Sequence, residues 1–276
     1  MREFYLYNGN GNKYSLMDLK HWLYEPKNLG ARFSSKYEQI GSDFVRTRRI
    51  PKPEDIKGSI LFTGKNQYEQ YSDFIKFLAV EPLTLEYVSD GTYRAKVDLV
   101  EVDKGEINQD SILECPISLK RISRWYKTIT ILNENTGEGG KIYDYSYDYH
   151  YTEFEPQQAT VQSDSGYDSP IKLTIFGPAI NPSWKHYLNN NVIAEGKITA
   201  EIRTGRRLVI DNTTIPYRIT EQDNSGNVIN DLYQDSDFTT QRFFNMQYGE
   251  NRITVEHEGT NLLNIALEAR LEYETV

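Results

Sequence analysis

Leu263-Asn-Ile-Ala-Leu-Glu-Ala-Arg-Leu-Glu-Tyr273 decides the fold class. Its large apolar side chains stand at Leu263, Ile265, Leu267 and Leu271, and Ala269 and Tyr273 complete the set. Period two puts all six on one face of a strand, whereas a helix would scatter them around its axis. A run so regular near the chain end is tied into a sheet, because a fraying tail has no need of it. The same alternation recurs at Leu113, Cys115, Ile117 and Leu119, at Ile171, Leu173 and Ile175, at Ile198, Ala200 and Ile202, and at Ile215, Tyr217 and Ile219. Tyr143, Tyr145, Tyr147, Tyr149 and Tyr151 alternate with Asp144, Ser146, Asp148 and His150, which gives a strand with one aromatic face.

Turn chemistry separates these runs. Asn8-Gly9-Asn10-Gly11 lies between Phe4–Tyr7 and Tyr14–Leu16 and reads as a hairpin, since Asn-Gly tolerates positive φ at both central positions. Asp90-Gly91, Asp164-Ser165-Gly166, Asn224-Ser225-Gly226-Asn227 and Tyr248-Gly249-Glu250-Asn251 punctuate the rest. Strands at this spacing favour sandwiches or open barrels over a parallel α/β sheet. One helix is expected from Tyr68 to Val80, with apolar residues three and four apart, Asn66 as N-cap, Glu69 completing a capping box and Pro82 ending it. A shorter helical turn is expected around Leu16–Leu23, stopped by Pro26. The fold class is mainly β, with an α+β N-terminal half and an all-β C-terminal half.

The chain has 276 residues, the size of one large domain or two ordinary ones, and a net charge of −9. Residues 1–130 hold 20 Lys/Arg against 18 Asp/Glu, and residues 131–276 hold 11 against 22. That asymmetry supports a boundary near 130, giving domains 1–130 and 131–276, with Asn133–Lys141 as a linker or a long hairpin loop. An acidic balance argues against coating nucleic acid by charge. Mean hydropathy of −0.65 and 13% aromatic residues, 21 of them Tyr, describe a folded chain with a modest core. No apolar run reaches the ~18–20 residues of a bilayer span, and the N-terminus lacks a secretion signal, so neither a membrane nor an export route is expected.

No catalytic, cofactor-binding or metal-ligating residues are expected. Cys115 shares its face with Leu113 and Ile117 and reads as a small buried hydrophobe rather than a nucleophile. His21, His150, His186 and His257 show no metal-pair spacing. Gly58–Asn66 has five residues between its glycines and Asn in place of Ser or Thr, so it reads as a strand over Ser59–Phe62 and not as a phosphate loop. Asp231, Asp235 and Asp237 lack the glycine and distal Glu of a calcium loop and read as a solvated acidic loop. A glycosidase carboxylate pair is invisible to sequence alone and stays open. Arg46, Arg48 and Arg49 form the dense basic cluster, either a protected strand edge or a contact with an acidic partner or nucleic acid. The tyrosine strand suits core or protein interface, and its rings also suit sugar stacking.

The order of these features resembles the distal tail protein family of long non-contractile-tailed phages. The residues that carry the likeness begin with Tyr14-Ser-Leu16, Asn28-Leu29-Gly30, Ile56–Phe62 and the helix Tyr68–Leu78. Leu83–Tyr87, Tyr93–Val97, Lys104-Gly105-Glu106 and Leu113–Leu119 leading into Trp125-Tyr126 follow. The second half adds Tyr145–Tyr151, Ile175-Phe-Gly177-Pro178 with Asn181-Pro182, Gly205 before Leu208–Asp211, and Tyr248–Asn251. The resemblance implies a structural virion protein, not an enzyme. It implies an N-terminal ring-forming domain, a β-sandwich or split barrel with one helix, and a C-terminal galectin-like β-sandwich. It further implies a homo-oligomeric, six-fold ring at the tail end, assembled in the host cytoplasm. That ring would join the tail tube protein to the tail-associated lysin or tip protein and hold receptor-binding proteins. There Arg46, Arg48 and Arg49 would face the channel or a neighbouring subunit. The alternative is a carbohydrate-binding, lectin-like module acting in host adhesion.

Overall fold

The computed structural model describes residues 2–133 and 157–276. The chain divides into two units, residues 1–127 with 273–276, and residues 128–272. Residues 273–276 fall in the first unit, although the charge asymmetry alone groups them with the C-terminal domain 131–276. Both units are built almost entirely from strands.

The first unit contains β1 (Glu3–Tyr7), β2 (Lys13–Ser15), β3 (His21–Lys27), β4 (Phe33–Ile40), β5 (Asp43–Pro51) and β6 (Glu54–Phe62). After helix α1 (Gln67–Leu78) come β7 (Leu83–Val88), β8 (Thr92–Val102), β9 (Leu113–Arg121) and the start of β10 (Trp125–Asn133). All pairings are antiparallel, and their order is β2-β1-β7-β8-β9-β6-β3. Strand β8 pairs with three neighbours, with β7 over Thr92–Val97, with β9 over Val97–Val102 and with β10 at Arg94. A bulge at Val100, between the pairs Leu99↔Leu119 and Glu101↔Ser118, lies in its second half. Bulges bend strands, and a bent, shared strand is how an open sheet curls over its own core.

That core gathers Phe4 and Leu6 from β1, Ile60 and Phe62 from β6, Leu83 and Leu85 from β7, Leu113 and Cys115 from β9, and Trp125. Helix α1 closes it with Phe74 and Leu78. Asn66 sits in the left-handed region (φ 61°) and makes no side-chain cap to the backbone. Its amide donates instead to the Glu69 carboxylate at 2.9 Å, so the two side chains bond each other and the expected capping box to the backbone does not form. In the turn after β1, Gly11 takes the left-handed φ of +76°. Gly9 is required for space, because a Cβ there would lie 2.0 Å from the Glu81 carbonyl oxygen.

The helical turn expected around Leu16–Leu23 is a correction. Leu16 N–H donates to the Phe4 carbonyl, Leu23 N–H donates to the Leu16 carbonyl, and β3 then pairs with β6. Cross-strand partners satisfy the backbone there, and tertiary pairing overrides the weak local preference. Pro26 is tolerated because it sits where the β3–β6 register is broken.

The second unit runs β11 (Gln157–Ser163), β12 (Ile171–Phe176), β13 (Ala179–Ile180), β14 (Ser183–Leu188), β15 (Asn191–Lys197) and β16 (Glu201–Ile202). It continues through β17 (Arg206–Asp211), β18 (Arg218–Asp223), β19 (Val228–Asp231), β20 (Gly249–Glu256) and β21 (Asn264–Tyr273). One antiparallel sheet is ordered β19-β18-β17-β12-β21 and the other β11-β20-β14-β15, with β13 and β16 as a short ribbon. Leu173, Ile175, Leu208, Ile210, Ile219, Ile265 and Leu267 of the first sheet and Trp184, Ile253 and Val255 of the second are buried. The expected strand face at Ile215 and Tyr217 is absent. Strand β18 begins at Arg218, and Ile215 is 92% exposed. Pro216 has no N–H to give a ladder, which keeps the strand from starting earlier.

His186 is fully buried on β14, with its ring 4.8 Å from that of Phe244. Its Nε2 lies 2.9 Å from Asn251 Oδ1, an acceptor, so Nε2 carries the proton. Nδ1 is buried with no partner among the described residues, and burial pushes the imidazole pKa down. The folded state therefore resists the second proton that the unfolded chain takes up. Its stabilising contribution is complete above the ordinary histidine pKa of ~6.5 and is lost as pH falls below it. Thermal melts at pH 7 and pH 5 should show a drop in melting temperature that is smaller in His186→Gln. Equal drops in both proteins would refute this assignment.

Candidate assembly surface

Strands β4 and β5 pair with each other and with no other strand among the described residues. They form an arm closed at its tip by Gly41, whose φ is +65°, and at its base by Lys52 N–H donating to the Arg32 carbonyl. Every residue of β5 is exposed, and β4 is exposed from Ser35 onward. Tyr37, Ile40, Phe44, Val45 and Ile50 are large apolar side chains left open to solvent on it.

Register decides which side chains share a face. Ser35 pairs with Arg49, Lys36 with Arg48, and Tyr37 with Arg46, so Thr47 is the extra, bulged residue. Residues directly opposite in a ladder project to the same side. One face therefore carries Phe33, Tyr37, Phe44, Arg46 and Arg49, and the Arg49 guanidinium lies 3.5 Å from the centre of the Phe33 ring. The opposite face carries Lys36, Arg48, Ile50, Val45 and Ile40. The sequence grouped Arg46, Arg48 and Arg49 together; the bulge brings Arg46 and Arg49 to one aromatic face and sends Arg48 to the other. The three arm aromatics were not singled out in the sequence. The alternation of Phe33, Ser35, Tyr37 and Gln39 was the signal that could have found Phe33 and Tyr37; Phe44 joins them only through the register of β5.

A second polar face lies on the outside of β2-β1-β7-β8. Glu86 is only 4% exposed, although it points away from the core. It accepts from Arg94 Nε at 2.7 Å, from the Tyr7 hydroxyl at 3.1 Å and from Lys13 Nζ at 3.4 Å. Lys13 also sits 3.5 Å from the centre of the Tyr5 ring. Two cations and a phenol satisfy a carboxylate that burial would otherwise make costly.

The residues weighed for chemistry are placed as follows. Cys115 is buried, and burial pushes its thiol pKa up, away from the reactive thiolate. Ser59–Phe62 lies in β6. Asp231 Oδ1 accepts from Tyr233 N–H, and Asp237 Oδ1 accepts from the Thr239 N–H and hydroxyl, so these acids fold their own loop. No three metal-ligating side chains cluster among the described residues. Tyr143, Tyr145, Tyr147, Tyr149, Tyr151 and His150 lie outside the described residues. No helix among the described residues is long and apolar enough to cross a membrane.

Residues 3–122 match the family described as distal tail protein, N-terminal domain. Among solved structures, the phage P2 baseplate in its activated conformation with calcium contains a chain 14% identical to this one, with a TM-score of 0.65 and both chains covered at 100%. The SPP1 Dit protein, described as a paradigm of the hub adsorption apparatus in phages infecting Gram-positive bacteria, is 8% identical. It aligns over 98% of this chain and 99% of its own, with a TM-score of 0.63. At such identities the likeness is one of fold. No curated protein matches the chain by sequence.

Proposed function

We propose, from the match of residues 3–122 to the family described as distal tail protein, N-terminal domain, that this chain closes with identical copies into a six-fold ring at the distal end of a phage tail. Its place is the virion baseplate, after assembly in the host cytoplasm. The ring joins the tail tube protein to the tail-associated lysin or tip protein and carries receptor-binding proteins. The first unit forms the ring and the second, as a galectin-like sandwich, decorates it. The role is structural, and no bond-making centre is assigned.

One observation carries this reading, the exposed arm of β4 and β5. A two-stranded hairpin alone is marginal in water. This one leaves five large apolar residues exposed on top of that. Such a surface needs an occupant, and a second copy of the chain fits by charge. The arm carries Lys36, Arg46, Arg48 and Arg49 against Glu38 and Asp43. The same unit exposes Asp98, Glu101, Asp103, Glu106 and Glu114 along β8, β9 and their connection. An arm reaching a different patch on the next copy is a heterologous contact, the kind that closes rings by rotation.

The test is light scattering with negative-stain imaging of the full chain. Arg46→Glu with Arg49→Glu removes both cations from the aromatic face and should lower the ring fraction by about tenfold, on the scale of a lost interfacial charge contact. Arg48→Glu alone should cost less. Rings in undiminished yield from the double variant would reject the arm as the contact.

A further inference from the structure

We propose that the arm of each copy is received on the outer face of β3, β6 and β9 of the next, with Arg46 and Arg49 set against Asp103 and Glu114, an inference that rests on the ring reading above and names the receiving half of the contact.

Strand pairing builds that face. Trp22 stands opposite Leu61, and Leu61 opposite Glu114. In the next row Tyr24 stands opposite Ser59, and Ser59 opposite Pro116. Residues opposite in a ladder project to the same side. Leu23, Ile60 and Cys115, which alternate with them, are in the core, so both rows face outward. The connection after β8 stays on the ladder, because Asp103 N–H donates to the Pro116 carbonyl at 2.9 Å. Asp103 therefore lies beside Pro116, on the same side as Glu101, which pairs with Ser118. Gly105 holds the connection close, since a Cβ there would lie 2.1 Å from the Glu114 carbonyl oxygen.

This face joins apolar surface to uncompensated acid. Tyr24 is 47% exposed, Pro116 is exposed and Trp22 is half-buried. The carboxylates of Glu101, Asp103 and Glu114 make no hydrogen bond or ion pair among the described residues. The nearby cations stand apart from them. Ser118 separates Lys57 from Glu101, and Lys27 pairs with Glu25 at 3.7 Å.

The arm is its complement. Arg46 and Arg49 make no ion pair among the described residues and share a face with Phe33, Tyr37 and Phe44. They stand opposite Tyr37 and Ser35, two residues or about 7 Å apart along β4. Glu114 and Pro116, the latter beside Asp103, are also two residues or about 7 Å apart. Two cations meet two acids in step, and the arm rings cover Trp22, Tyr24 and Pro116. Strand β5 has nine residues and reaches about 30 Å, roughly the width of the seven strands of the first unit, so it can cross to a neighbour. Every residue of β5 is exposed, so no copy seats its own arm. The unpaired acids repel an acidic partner or a nucleic acid and leave a basic segment as the occupant.

Light scattering and negative-stain imaging of two full-chain variants test the pairing. One carries Arg46→Glu and Arg49→Glu, the other Asp103→Arg and Glu114→Arg. All four positions are exposed, so circular dichroism and melting temperature should match the unaltered chain. Each variant alone should lose rings by about tenfold. An equimolar mixture should restore them with the two variants alternating, because each reversed arm then meets a reversed face and each native arm a native one. A chain with all four substitutions should form rings by itself. A mixture no heavier than its components overturns the proposal. So does a face variant that assembles normally while the arm variant does not, and in that case the arm contact itself still stands. Normal assembly by both variants brings down the arm reading as well.

Discussion

Replacing Phe33–Pro51 with a short glycine-containing turn should abolish self-assembly while leaving the first unit folded. The arm gives almost nothing to the unit that bears it. Its strands pair only with each other among the described residues, and only Phe33 and Ser34 at its base are half-buried. Fully burying one large apolar side chain stabilises by ~1.5–3 kcal/mol. Tyr37, Ile40, Phe44, Val45 and Ile50 retain 39–72% of their exposure, so covering all five yields roughly 5–8 kcal/mol gross. Association costs about 4–15 kcal/mol. A single arm contact is therefore near balance, and a closed ring tips it, because the last contact joins partners already held together. This predicts assembly that is steep in concentration and lost outright without the arm. The melting temperature should move by no more than about 4 °C, the scale of one kcal/mol in a domain of this size. Rings formed without the arm would locate the interface elsewhere. A collapse of the melt would make the arm part of the core.

Removing Tyr273–Val276 should destabilise the first unit by about 3–5 kcal/mol, the cost of breaking a buried charged contact by taking one partner away. The tail supplies that partner. The Arg121 guanidinium, 4% exposed, donates Nη1 to the Glu274 carbonyl at 3.0 Å and Nη2 to the Gly30 carbonyl at 3.1 Å. Burial lowers its pKa, the sign of a cation held away from water. Arg124 Nε reaches the Glu274 carboxylate at 3.4 Å, and the Tyr273 ring meets Tyr93 edge-on at 5.5 Å. Tyr273 and Val276 pack against the core of the first unit. Deletion should lower that unit's melting temperature by roughly 10 °C. Hydrogen exchange should quicken along β9 and near Gly30, with the sheets of the second unit unchanged. An unaltered melt and exchange pattern would show the tail to be dispensable.

Strand alternation was the most legible property of the chain. The runs at Leu113–Leu119, Ile171–Ile175 and Leu263–Leu271 bury the very residues that period two puts on one face. The helix after Asn66 and the turn at Asn8–Gly11 were equally legible, since both depend on neighbours within a few residues. The errors lie where distant backbone intervenes. Leu16–Leu23 looked weakly helical until β1 and β6 claimed its hydrogen bonds, and Ile215 and Tyr217 kept a strand-like spacing that Pro216 denied a ladder. Among the site residues, the sequence brought out the arginines as a cluster, but a single bulged Thr47 decided which of them act together.

By itself, then, the sequence determined the kind of element at most positions and the face each apolar side chain takes, because those depend on local periodicity and turn chemistry. Only the tertiary structure decided that Phe33–Pro51 stands out as an arm, that Tyr273–Val276 belongs to the first unit, and that Trp22, Tyr24, Pro116 and Glu114 share one outer face. Each of these depends on which strands pair and in which register. Pairing is a contest among segments far apart in the chain, and a one-residue slip redirects every side chain beyond it.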